Sequence, residues 1–153
     1  MHGMVDTAAR GRRVLISTIR PENGGVPANA RFIVRALRTR GYEPILAHYE
    51  PYSINPKLSV PSFRLLQRRI GSQKRLTLER CETHAIGAWL PELEFTHYLA
   101  TEAWKRLIDS CCAFLTVAGN ALPSLPYVQT ARPFIAWLSS GWHADRKDRV
   151  RPA

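Results

Sequence analysis

The sequence predicts an α/β protein built on a largely parallel sheet, and three observations carry that reading. Apolar runs of strand length recur at 13–18, 43–49, 113–118 and 134–139. They lack the polar alternation of a half-exposed strand, as expected of strands buried on both faces. Segments of helical period lie between them, at 27–40 and 101–111, with glycine or proline at the junctions. Strands alternating with helices form a parallel sheet covered by helices. With 153 residues, 45% hydrophobic and 22% charged, the chain has material for one domain with a sizeable core.

Met1–Gly11 is small and polar and reads as a disordered start. Arg-Val-Leu-Ile-Ser-Thr at 13–18 is the first strand, and Ile19–Val26, with Gly24-Gly25, is a turn. Pro27 suits the first position of a helix, where no N–H partner is needed. Ala30, Ile33, Val34 and Leu37 then fall on one helical face, Arg31, Arg35 and Arg38 fall on another, and Gly41 supplies the stop. The second strand, at 43–49, accepts Pro44 because it lies near the strand start. Strand, glycine turn, helix and strand make a βαβ unit.

Three prolines make 50–62 a loop. Residues 63–80 hold six basic side chains against Glu79. Phe63, Leu66 and Ile70 form a short apolar stripe there, but Gly71-Ser72 stops any long helix. Thr83–Leu90 reads as a strand and 101–111 as a helix with Ala103, Leu107 and Ile108 inward and Trp104 beside them. Trp89, Trp104 and Trp137 are expected in the core. The segment with Pro123 and Pro126 is a loop before the last strand, 134–139.

The net charge is +10, and all of it lies in residues 1–80, with 15 Lys/Arg against 5 Asp/Glu; residues 81–153 hold 7 of each. Nucleic acid, an anionic membrane or a phosphorylated ligand would each suit a basic half. A nucleic-acid module interleaves bases with exposed aromatics. Here the arginines follow the outer face of a helix and only Phe63 accompanies the 63–80 cluster, which argues against nucleic acid. Cys81, Cys111 and Cys112 make a poor disulfide framework, without C-x-x-C spacing for zinc, and read as reduced thiols. No apolar run approaches the ~18 residues of a membrane span, and the start carries no secretory h-region. A cytoplasmic location is expected.

The sharpest local feature is the strand–Gly-Gly–helix junction. A helix start presents unpaired N–H groups, and glycines allow a ligand close to the backbone, so an anionic or hydroxyl-rich ligand would sit on Asn23–Ala28. Neither a Gly-x-Gly-x-x-Gly fingerprint nor a P-loop is present. Arg13–Thr18, Gly24-Gly25 and Ala36-Leu-Arg-Thr-Arg-Gly-Tyr-Glu-Pro44 together resemble the opening of GT-B glycosyltransferases, most closely the family 4-like N-terminal domain. Tyr42 stands where that family most often has His. The resemblance is good over 13–49 and keeps the order of strands through residue 143.

The resemblance implies a Rossmann-like open, mostly parallel sheet over 12–145, the N-terminal, acceptor-side half of a two-domain enzyme, with a charged tail at 146–153. It implies transfer of a sugar from a nucleotide-sugar donor to a sugar or lipid-linked acceptor. No metal and no cofactor is required beyond the donor, which a C-terminal domain or split partner chain mostly binds. By itself the chain is then expected to be inactive. Asn23, Gly24 and Gly25 would face the ligand. Gly119 and Asn120 match a loop after a later strand, and Ser140 and Trp142 lie near the reacting sugar, with His143 and Asp145 in the catalytic position. The family's His-Asp or His-Gly pair reads Trp142-His143-Ala144-Asp145 here. A basic face also suits peripheral contact with anionic lipid at the inner membrane face. The alternative is a non-catalytic basic module for membrane or nucleic acid.

Glu92 and Glu94 alternate with Leu93 and Phe95 and read as a solvated strand face. His48, His84 and His97 have no ligand cluster and read as structural or surface residues. The Cys111-Cys112 pair reads as packing at a helix end.

Overall fold

The computed structural model describes residues 11–21, 25–64 and 69–139. Six strands form one sheet: β1 (Arg13–Thr18), β2 (Glu43–Tyr49), β3 (Ser72–Thr77), β4 (Cys81–Ile86), β5 (Ala113–Ala118) and β6 (Ile135–Leu138). Their order is β3-β4-β2-β1-β5-β6, all parallel except β3, which runs antiparallel to β4. The chain therefore starts in the centre, builds outward one way, and returns to build outward the other way. Helix α1 (Gly25–Thr39) packs on one face; α2 (Glu102–Asp109) and α3 (Leu125–Gln129) pack on the other. This is an α/β, Rossmann-like arrangement. Among the described residues no helix is long and apolar enough to cross a membrane.

Each face has its own core. Ala30 and Val34 of α1, with Ile33 and Leu37, meet Ile16, Leu46 and Val117. Opposite, Trp104, Leu107, Ile108 and Tyr127 cover Leu15, Ile45, Ala47 and Phe114. The period-2 alternation of strand side chains explains the division, since neighbouring residues of β1 and β2 enter opposite cores. Helix α1 starts at Gly25, so Pro27 takes its third position, still within the first turn that needs no N–H partner. It ends in a Schellman motif. Gly41, at φ 78°, donates to Arg38 O and Tyr42 donates to Leu37 O.

Several expectations are corrected. The 63–80 segment contains the edge strand β3, whose polar composition hides it; one partner strand and neutralising carboxylates suffice there. Strand β4 begins two residues earlier than expected and stops at Gly87. A Cβ on Gly87 would stand 1.9 Å from the Leu58 carbonyl oxygen, so the close approach of the returning loop requires glycine at this position. Residues 122–129 hold a 3-10 turn (Leu122–Ser124) and α3, with Pro123 and Pro126 in their first turns. Strand β6 is an exposed edge rather than a buried strand. Trp137 is 42% exposed and meets Phe32 edge-on at 6.2 Å, while Trp104 is the core tryptophan and Trp89 is half-buried. Cys81 and Cys111 are buried free thiols, but Cys112 is exposed, so only Cys111 packs at the helix end. The expected disordered start and the 146–153 tail lie outside the described residues.

Polar groups of β1 are buried at its carboxyl end, and two tyrosine hydroxyls satisfy several of them. The Ser17 amide donates to Tyr127 Oη at 3.0 Å, and the Tyr127 hydroxyl faces the carbonyls of Leu15 (3.1 Å) and Leu115 (3.0 Å). Tyr98 Oη donates to Thr18 O at 2.8 Å. Burial pushes both phenols up, so they remain protonated donors. Tyr127→Phe is expected to destabilise the domain by about 1–3 kcal/mol, because the Ser17 amide loses its acceptor inside the core. Denaturant unfolding of the two proteins measures it, and a difference under about 0.5 kcal/mol would mean that the latch contributes little.

Candidate functional site

In an open parallel sheet, strands that leave the centre in opposite directions open a crevice at their carboxyl ends. Here that switch point lies between β1 and β5. A cavity of about 410 Å³ occupies the region, lined among others by Arg20, Tyr49, Glu94, His97, Tyr98 and Asn120. Arg20 follows β1, Tyr49 ends β2 and Asn120 follows β5, so the carboxyl ends of three adjacent strands meet at one place.

The segment after Pro91 closes the wall. Leu90 takes a left-handed φ of 49°, and the Thr96 hydroxyl donates to the carbonyls of Leu90 (3.0 Å) and Leu93 (2.7 Å). Those bonds wind 94–96 into a 3-10 turn instead of the expected strand face. They carry Glu94 and His97 to the crevice. His97 stacks on Tyr49 with ring centroids 3.9 Å apart and planes 10° from parallel. Its Nε2 is 2.9 Å from Pro91 O, which assigns the proton to Nε2 and leaves Nδ1 as the acceptor. Asn120 Oδ1 accepts from the Leu122 amide at 3.0 Å, so its side chain is aimed by the turn that follows it.

Beside the crevice, at the end of β2, lies a buried charged cluster. Glu50 is 2% exposed and bonds Arg75 Nη2 at 2.6 Å. His48, fully buried, has Nδ1 2.9 Å from Tyr49 O and Nε2 3.4 Å from Arg75 Nη2. The carbonyl contact makes Nδ1 the donor, and a neutral Nε2 is the form that tolerates a guanidinium beside it. Burial lowers the His48 pKa below 6.5; the Tyr49 carbonyl and Glu50 pull the other way without reversing it. The Glu50–Arg75 pair ties β3 to β2 across the β4 strand between them, while the buried Arg75 Nε has no hydrogen-bond partner among the described residues.

The sequence-derived candidates separate into three groups. Asn120 lines the crevice and Gly119 precedes it. Gly25 opens α1, with nothing within 4 Å of where a Cβ would stand, so the packing described does not itself require glycine there. Asn23, Gly24, Ser140, Trp142, His143 and Asp145 lie outside the described residues. Arg20, Tyr49, Glu94 and His97 are site residues that sequence reasoning missed. The one signal for Arg20 and Tyr49 was their place at strand ends; Glu94 and His97 carried none, because a local turn decides their position. Among the described residues, no group of three or more His, Cys, Asp or Glu is placed to hold a metal ion. Comparison with protein families, curated proteins and solved structures found no match to this chain.

A histidine kept neutral by folding resists a proton that the unfolded chain accepts, so it subtracts stability as pH falls below 6.5. Thermal unfolding followed from about pH 7.5 to about pH 5.5 is expected to show Tm falling with acidification, and His48→Gln is expected to flatten that fall. An unchanged pH slope in the variant would assign the effect to other groups.

Proposed function

We propose that this domain is the acceptor-side half of a two-domain glycosyltransferase that moves a sugar from a nucleotide-sugar to an acceptor hydroxyl. The observation that carries the reading is the crevice at the β1/β5 switch point, where Arg20, Glu94, His97 and Asn120 surround an aromatic platform. Sugars offer hydroxyls that both donate and accept, together with apolar C–H faces. A guanidinium, a carboxylate, an imidazole and an amide beside stacked rings match both features. The resemblance over 13–49 points the same way, as does the first strand lying central in a Rossmann-like sheet.

In the transfer, the acceptor oxygen bonds to the anomeric carbon as the bond from that carbon to the donor's phosphate oxygen breaks. The electron pair leaves with the nucleotide, and the acceptor's proton passes to a base. Glu94 and His97 are the crevice groups with lone pairs for that proton. On the resemblance, His143 or Asp145 would fill the same role from the segment after β6. Most donor contacts belong to a second domain or partner chain, and peripheral contact with the inner membrane face remains part of the proposal.

The alternative, a basic module for membrane or nucleic acid, finds several of its cations engaged in internal ion pairs. Lys74 bonds Glu82 at 2.8 Å, Arg75 bonds Glu50 at 2.6 Å, and Arg35 bonds Glu79 at 2.8 Å with Arg31 3.6 Å away. Arginines so engaged hold the fold's own edge together. They offer a phosphate backbone less than their number suggests.

Ligand-observed NMR with methyl glycosides is expected to show contacts that weaken in Glu94→Gln and Arg20→Ala. Incubated with nucleotide-sugars, the 153-residue chain alone is expected to show little or no transfer. Absence of glycoside contact across a broad panel would overturn the sugar reading; robust turnover would overturn the half-enzyme reading. Gly25→Ala is expected to leave Tm within about 1 °C while reducing nucleotide-sugar binding once the donor domain is supplied, since the added methyl meets ligand rather than protein.

A further inference from the structure

The crevice does not end at Asn120. A second, larger groove of about 820 Å³ adjoins it, and Glu94, Asn120 and Leu122 line both. Beyond that shared wall the lining turns apolar, with Phe95, Leu125, Val128, Phe134 and Ala136. Phe95 is 62% and Val128 60% exposed, side chains that a soluble surface seldom places together along one concave strip.

The elements forming the groove explain why it persists. Leu122, Leu125 and Phe134 are anchored against the core that holds Tyr127 and Phe114, so the floor is fixed by packing already required for the sheet. Phe95 overhangs from the 3-10 turn held by Thr96, and Val128 stands on the outer side of α3. The groove is thus built on rigid elements and does not depend on a loop closing over it.

We propose that the groove takes the apolar portion of the acceptor, so that the acceptor is an amphiphile with its sugar or hydroxyl head in the crevice and a hydrocarbon chain beyond it. This rests on the reading of the crevice as the acceptor site. Continuity selects the occupant. A molecule leaving the polar crevice past Glu94 and Asn120 passes directly onto Leu122 and the apolar strip, which is the order of groups in a glycosylated or phosphorylated lipid. A free oligosaccharide would leave the apolar strip wet. Each methylene transferred from water to such a surface strengthens binding about three- to fourfold when fully buried.

The test uses the whole chain with methyl and octyl glycosides of glucose, galactose and mannose, and with n-octanol, all below micelle-forming concentrations. Affinity is read by calorimetry or NMR titration. Octyl glycosides are expected to bind roughly tenfold or more tightly than their methyl counterparts. That advantage is expected to vanish in Val128→Asp and in Phe95→Ser. Both positions are exposed, so both variants should keep the wild-type Tm and the wild-type affinity for methyl glycosides. Equal affinity for the two chain lengths, or an advantage that survives both substitutions, would overturn the groove assignment and leave the sugar reading standing. Octanol binding as tightly as the octyl glycosides, with Val128→Asp abolishing both, would keep an apolar-chain site and overturn the acceptor reading. A chain-length effect that tracks dimerisation in light scattering would assign the groove to a second copy and overturn the proposal.

Discussion

The structure depends on how the carboxyl end of its central strand is satisfied. Ser17 and Thr18 carry polar groups into a region with almost no water contact, at the point where β1 and β5 part. An unpaired polar group there would cost a sizeable share of a small domain's stability. Tyr127 reaches from α3 to serve both strands, Tyr98 caps Thr18, and the Thr18 hydroxyl donates to Val117 O at 2.6 Å. These bonds pull α3 and the 96–98 turn onto the sheet. The 96–98 turn lines the crevice and α3 lines the groove, so the latch that stabilises the switch point also shapes the site.

Charge follows a similar logic. The basic excess of the first half looks, along the chain, like a surface waiting for an anion. Folded, several of those cations brace the sheet through internal ion pairs. Glu82 gathers Arg13, Lys74 and His84 around a single carboxylate; burial pushes its pKa up, but the hydrogen bonds from His84 and Lys74 outweigh that and hold it below 4.5. Glu79 gathers Arg31 and Arg35, and Glu50 holds Arg75. Glu79 and Glu82 each serve more than one cation, so several basic side chains are engaged within the fold even though the net excess stays at +10. The opposite end of the sheet is different in kind. Strand β6 and its surroundings expose Ile135, Trp137 and Leu138 and adjoin the apolar groove.

Much of the fold was legible before any coordinates. β1, α1, β2 and β5 fall where their periodicity places them, because each is dominated by one pattern: continuous apolar residues for strands buried on both faces, or a 3.6-residue stripe for α1. Gly41 ends α1 as its position suggested, since a left-handed residue there lets two carbonyls find donors. Strand β3 was hidden because an edge strand needs little hydrophobicity. Helix α3 was hidden because Pro123 and Pro126 read as breakers, although a first turn accommodates proline.

The site was less legible than the fold, for a physical reason. Sequence alone located the ends of β1 and β5, because strand ends are set by local pattern, and the resemblance singled out Asn120 after β5; the strand order that makes this a switch point came from the fold. Sequence did not locate Glu94 and His97. Their positions follow from the left-handed Leu90 and from the Thr96 hydroxyl bonds, which only a folded chain forms. Nor did it join the crevice to the apolar groove, since Phe95, Val128 and Ala136 belong to three separate elements brought together by the two-sided core. Periodicity determined which elements exist and the sheet they build. Tertiary structure decided which of their side chains share a cavity, because proximity across the sheet depends on strand order and on buried hydrogen bonds between residues as far apart as Ser17 and Tyr127.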